Sequence, residues 1–144
     1  WLHMGPDALT VHPDGHYLGH VFAGRRAPVK TLLLNQEIIA GLGNIYADEA
    51  LWRAKIRPDR PAASLSVKEN EALAGSIATL LEEAIRWRGT TFSDYLDGEG
   101  FPGGFAVRLE AYGRAGEACH RCGQQLISRR VGGRTTTWCP ECQR

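Results

Sequence analysis

Apolar positions between residues 14 and 88 recur at helical spacing. In "PDGHYLGHVFAGR", Tyr17, Leu18, Val21 and Phe22 share one face and predict a short helix. Asp14 is placed to cap it and Gly24 to end it. "APVKTLLLNQEIIAG" predicts a second helix with Pro28 in its first turn. Leu and Ile on several of its sides imply deep burial. "NIYADEALWRAKI" predicts a third, with Asn44 as N-cap and Ile45, Ala47, Ala50, Leu51 and Ala54 as the apolar face. "SVKENEALAGSIATLLEEAIRWRG" predicts the longest helix. Ser66 and Glu69 form a capping box, and Leu73, Ile77, Leu81, Ala84 and Ile85 form the buried stripe. Arg86 and Arg88 fall in the last turn, where cations suit the helix dipole, and Gly89 ends the run. "TTFSDYL" adds at most a turn or two. "DGEGFPGGFA", with four glycines and a proline in ten residues, predicts a loop.

Beyond residue 108 the helical period is lost. "QLISRRV" and "RTTTWC" read as short strands around Gly132 and Gly133, which suit the positive φ angles of a tight hairpin turn. The pattern gives a mainly α fold class: a helical bundle followed by a small β-hairpin. There is no internal repeat and no low-complexity tract.

A length of 144 residues with 43% apolar content suffices for a helical domain plus a small appendage. No run of 18 apolar residues occurs, so no membrane span is expected, and no signal peptide is visible. The net charge of +1 excludes little, but its distribution is informative. Residues 108–144 hold seven arginines against three glutamates, a net of +4, which leaves −3 for residues 1–107. This asymmetry points to an anionic partner for the C-terminal end. Arg129, Arg130 and Arg134 crowd the hairpin and could grip phosphates, or could simply keep its surface solvated.

All four cysteines fall in one pattern, C-x2-C-x16-C-x2-C, formed by Cys119, Cys122, Cys139 and Cys142. Each pair can aim two thiolates at one tetrahedral ion, and the spacing reads as a structural zinc site with no open position. Two disulfides or a redox pair are the competing readings. No secretion signal favours the first, and no βαβ pattern favours the second. His120 lies between two ligands and is expected to be a solvated bystander.

The second chemical signal is "AGLGN". Gly41 and Gly43 let backbone N–H groups approach a ligand, and Asn44 stands at a helix N-terminus, where an anion is favoured. Lys30 can add a charge if the chain folds it nearby. Close packing of two helices is an equally good reason for glycine, since Gly-x-Gly is a weak motif.

"LLLNQEIIAGLGNIYADEALWRAKIRPDRPAASLS" closely resembles the helix–two-turn–helix region of the formamidopyrimidine-DNA glycosylase family. "AYGRAGEACHRCG" and "GRTTTWCPECQR" are similar to its C-terminal zinc finger, and "TTFSDYLDGEGFPGGFA" to the loop segment between. The sister endonuclease VIII family shares both modules, but "GLGNIYADEAL" looks more like the formamidopyrimidine branch. The resemblance implies that Lys30, Gly43 and Asn44 in the two-turn motif and Arg134 in the finger contact DNA phosphates near a lesion. It implies that Gly98, Gly100, Phe101, Gly103 and Gly104 belong to a segment covering the extruded base. It implies one zinc ion on the four cysteines, damaged double-stranded DNA as partner, a monomer, and a bacterial cytoplasmic, nucleoid-associated location.

The expected organisation is a linker at 1–13, a helical DNA-binding domain at 14–107 and a zinc finger at 108–144. The family's nucleophile is an N-terminal proline followed by glutamate on a separate β-rich domain. This chain opens "WLHM", so no catalytic residue is expected in it, and the parent would be a glycosylase and abasic-site lyase acting on oxidised purines. A non-enzymatic helical and zinc-ribbon adaptor is the competing function.

Overall fold

The computed structural model of the chain describes residues 4–88 and 109–144. The expected loop glycines, Phe101 and the helix-ending Gly89 lie outside these residues. Four helices and one hairpin are described: α1 (Gly15–Phe22), α2 (Val29–Leu33), α3 (Asn44–Ala54), a 3-10 turn at Ala62–Ser64, α4 (Val67–Arg88), β1 (Ile127–Val131) and β2 (Arg134–Trp138).

α1 forms as its sequence predicts. The Asp14 carboxylate accepts from Tyr17 N at 2.9 Å, while Leu18 and Phe22 are buried. α4 starts on the expected capping box: Glu69 N donates to Ser66 Oγ, and Ser66 N donates to Glu69 Oε1. Of its expected stripe, Leu73, Ile77, Leu81 and Ala84 are buried against α1 and α3, joined by Leu80, while Ile85 is only half-buried.

α2 is much shorter than predicted. It stops at Leu33, because the next two polar side chains serve the backbone of turns rather than a helix. Asn35 Oδ1 accepts from Glu37 N, and Gln36 Oε1 accepts from Gly41 N. Gly41 then takes φ +90, which a side chain would strain. Two turns therefore join α2 to α3. The N-cap of α3 is Gly43, one residue earlier than expected, with an extended backbone and no side-chain cap. Asn44 is the first helical residue, which frees its amide for another task.

The segment expected to be a linker is integrated into the helical unit. Gly5 N donates to Gln36 O, residues 7 and 40 form a parallel bridge, and Ala8 is fully buried in the helical core. The hairpin has the predicted two-residue turn, with Val131 facing Arg134 and both Gly132 and Gly133 at positive φ.

Candidate nucleic-acid interface and metal centre

The two C-x2-C turns bring all four sulfurs together. Every pair of Sγ atoms among Cys119, Cys122, Cys139 and Cys142 lies within 4.8 Å. Cys119 and Cys142 are 3.9 Å apart, and Cys122 and Cys139 are 3.5 Å apart. Disulfides need about 2.05 Å. A tetrahedron with metal–sulfur bonds of about 2.3 Å has edges of about 3.8 Å, so the set has the size of a single ion's cage. Backbone N–H groups of Arg121 and Cys142 point at Cys119 Sγ and Cys139 Sγ, as suits thiolates. The cage packs on a small second core of Trp52, Ala111, Leu126, Cys119 and Cys139, with Cys142 against it and Cys122 exposed. His120 stays outside the cluster and pairs with Glu110 at 2.6 Å.

The hairpin is held along α3. Antiparallel pairing leaves alternate backbone groups of β2 pointing away from β1, and an open edge needs partners. Three side chains supply them. Lys30 Nζ and Asn44 Nδ2 both donate to Thr135 O, at 3.1 and 3.2 Å, and Thr137 N donates to Asp48 Oδ2 at 3.2 Å. Lys30 also donates to Thr136 Oγ1 at 2.7 Å and pairs with Asp48 Oδ1 at 2.7 Å. The tip is seated too: a Cβ on Gly132 would come 2.3 Å from Thr31 Oγ1 on α2.

The Lys30 side chain is 0% exposed and Asp48 is 1% exposed, so the ammonium holds the hairpin from beneath instead of standing free at the surface. Burial pushes the Asp48 carboxyl up to about 6, with the Lys30 ammonium pulling the other way. Glu49, also buried, accepts from the backbone N–H groups of Glu110, Ala111 and Tyr112 at 2.7–2.8 Å. Burial raises its pKa against those three bonds. Glu49 thus ties the start of the cysteine module to α3.

Between the N-terminus of α3 and the hairpin lies a groove of about 510 Å³, lined by Asn44, Asp48, Tyr112, Ser128, Arg130, Arg134 and Thr135 among others. Asn44 and Arg134, 90 residues apart in sequence, meet there. Asn44 is 5% exposed, and its Oδ1 has no partner among the described residues. The first N–H groups of α3 have no intrahelical acceptor. Arg134 is exposed and pairs with no carboxylate among the described residues. Gly43 caps α3 and is not among the residues lining the groove. Sequence reasoning missed Asp48, Glu49, Tyr112 and the groove position of Arg130. One signal was available: Asn44, Asp48 and Trp52 recur every four residues, which marks the stripe of α3 that faces the hairpin.

Residues 4–95 match the family model described as formamidopyrimidine-DNA glycosylase H2TH domain. A formamidopyrimidine-DNA glycosylase of Syntrophomonas wolfei is 51% identical over 140 residues, covering 97% of this chain and 52% of the relative. One from Heliobacterium modesticaldum is 50% identical over 141 residues, covering 98% and 51%. Among solved structures, the MutM (Fpg) protein of Thermus thermophilus aligns with a TM-score of 0.83 at 41% identity, over 97% of this chain and 53% of that one. Lactococcus lactis Fpg in complex with DNA containing an abasic site aligns with a TM-score of 0.83 at 35% identity, over 98% and 52%. The chain spans about half the length of these relatives. With the two-turn motif, the cysteine hairpin and these matches in agreement, the chain belongs to the formamidopyrimidine-DNA glycosylase family.

Proposed function

We propose that this chain is the DNA-binding part of a base-excision-repair glycosylase and abasic-site lyase that removes oxidised purines such as 8-oxoguanine and formamidopyrimidines. The observation that carries the reading is the convergence of Asn44 and Arg134 on one groove. Among the described residues that line it, the one carboxylate, Asp48, is already neutralised by Lys30. A backbone phosphate of damaged duplex DNA fits such a place: it takes N–H groups from the α3 terminus and from Asn44, and charge from Arg134. The Lactococcus lactis relative complexed with abasic-site DNA supports the partner class. Phosphate contacts fix register and carry no sequence information, so these residues position the duplex rather than recognise a base. No bond-breaking step is assigned to the described residues.

The ion is zinc, held by Cys119, Cys122, Cys139 and Cys142. Four thiolates at tetrahedral separation leave no coordination position for water or substrate. Its contribution is to fold the hairpin that carries Arg134.

The test is binding to a short duplex carrying an abasic-site analogue, beside an intact duplex, across a salt series. Affinity should fall with salt as counterions are released. Asn44→Ala and Arg134→Ala should each weaken binding by about 1.5–3 kcal/mol, the range for hydrogen bonds to charged groups, with circular dichroism unchanged. Native affinity in both variants would overturn the groove as the phosphate site.

A further inference from the structure

The hairpin carries three arginines near its tip, and its geometry separates them. Strand side chains alternate between faces. On one face, Ser128 and Arg130 of β1 stand beside Thr137 and Thr135 of β2, and these four line the groove. Arg129 and Arg134 have the opposite parity, but Arg134, opposite Val131 beside the turn, still lines the groove, whereas Arg129, opposite the buried Thr136, does not. Arg130 is exposed and pairs with no carboxylate among the described residues. In contrast, Arg53, Arg57, Arg60, Arg114 and Arg144 are each paired with an acid. One Arg130 N–H bond is committed: Nη2 donates to Gly133 O across the turn, which braces the guanidinium over the hairpin tip. A guanidinium has five N–H donors in a fixed fork, so the others remain for a second acceptor.

We propose that Arg130, with the Ser128 hydroxyl beside it, holds a second phosphate of the same strand, next to the one gripped by Asn44 and Arg134. The inference rests on the proposed DNA-binding reading and deepens it. The hairpin then spans two successive phosphates and fixes the direction of the strand as well as one point on it. Arg129, adjacent in sequence and equal in charge, takes no part.

The experiment compares salt dependence of binding to the abasic-analogue duplex for the zinc-loaded chain and its Arg130→Gln, Arg130→Lys and Arg129→Gln variants. Each phosphate contact contributes about 0.9 to the slope of log affinity against log salt. Arg130→Gln should lower the slope by about that amount and weaken binding about tenfold at low salt. Arg130→Lys keeps the charge but not the planar fork that braces Gly133, and should keep most of the slope. Arg129→Gln should leave it unchanged. Zinc content and Trp138 fluorescence report whether each hairpin is intact.

A native slope in Arg130→Gln, with Asn44→Ala and Arg134→Ala still weakened, would overturn this inference and leave the groove reading standing. Equal losses in the Arg129 and Arg130 variants would also overturn it, because the effect would be diffuse charge and not a site. Arg130→Lys behaving like Arg130→Gln would assign the role to the Gly133 brace and overturn the phosphate contact. If none of the variants loses affinity, the DNA-binding reading itself fails.

Discussion

Lys30 shows how far a single residue's role depends on what covers it. A lysine near a glycine-rich turn invites a phosphate, yet here it lies under β2 against Asp48. Breaking a buried ion pair on one side leaves the other charge without compensation, at about 3–5 kcal/mol. Lys30→Met should therefore lower stability by about that amount in urea unfolding. The double variant Lys30→Met/Asp48→Leu should recover much of the loss, since an apolar pair can fill the same space. If Lys30→Met weakens DNA binding without any loss of stability, the lysine has a direct phosphate role after all. Asn44 differs in kind. Its amide bridges to Thr135 while facing the groove, so its removal should be read in affinity more than in stability.

Elements are held by local caps and by one close approach. Ser66→Ala removes one half of the α4 capping box and should cost about 1 kcal/mol. Glu69 reaches back to Arg60 as well as to Ser66. The Arg60 hydrogen bonds hold its carboxyl below the ordinary 4.5, with burial opposing and Ser66 helping. A depressed folded pKa means stabilisation that is complete above 4.5 and is lost as pH falls through the lower folded value. Glu69→Gln should accordingly flatten the acid side of the stability curve below 4.5, measured as urea midpoints over pH. An unchanged curve would show that the Arg60 contact contributes nothing. At the hairpin tip, Gly132 and Gly133 both have positive φ, but only Gly132 abuts another element. Gly133→Ala meets only backbone strain, about 1–2 kcal/mol. Gly132→Ala adds a clash with Thr31 and should also loosen the hairpin, seen as a larger drop in DNA affinity.

The described residues form two apolar cores that share no residue, one among the helices and one around the cysteines. Trp52 of α3 packs into the cysteine core, and the other ties are polar: Lys30 and Asp48 on β2, Glu49 on residues 110–112, and Gln143, whose amide donates to Ile56 O while its carbonyl accepts from Cys139 N. Chelation of the metal should therefore unfold the hairpin and change the fluorescence of the buried Trp138, while most far-ultraviolet helical signal persists. DNA affinity should fall with it, because Arg134 is no longer brought to Asn44. Cooperative loss of the helical signal on chelation would mean that the polar ties bind the two units into one folding unit. None of the described helices is long and apolar enough to cross a membrane.

The sequence by itself determined whatever depends on short spacings. The Asp14 cap, the Ser66–Glu69 box, the α4 stripe, the two-glycine turn and the paired C-x2-C turns each follow from residues a few positions apart. Its helical period also placed the start of α3 to within one residue, and its end two residues late. It overextended α2, because Leu33, Leu34, Ile38 and Ile39 carry a helical pattern while Asn35 and Gln36 turn the backbone aside. Only the tertiary structure decided which charged residues are buried in the frame and which line the groove. Lys30 meets Thr136 across 106 positions, and Asn44 meets Thr135 across 91. A charge is functional or structural according to whether water or protein surrounds it, and a linear pattern cannot specify that environment.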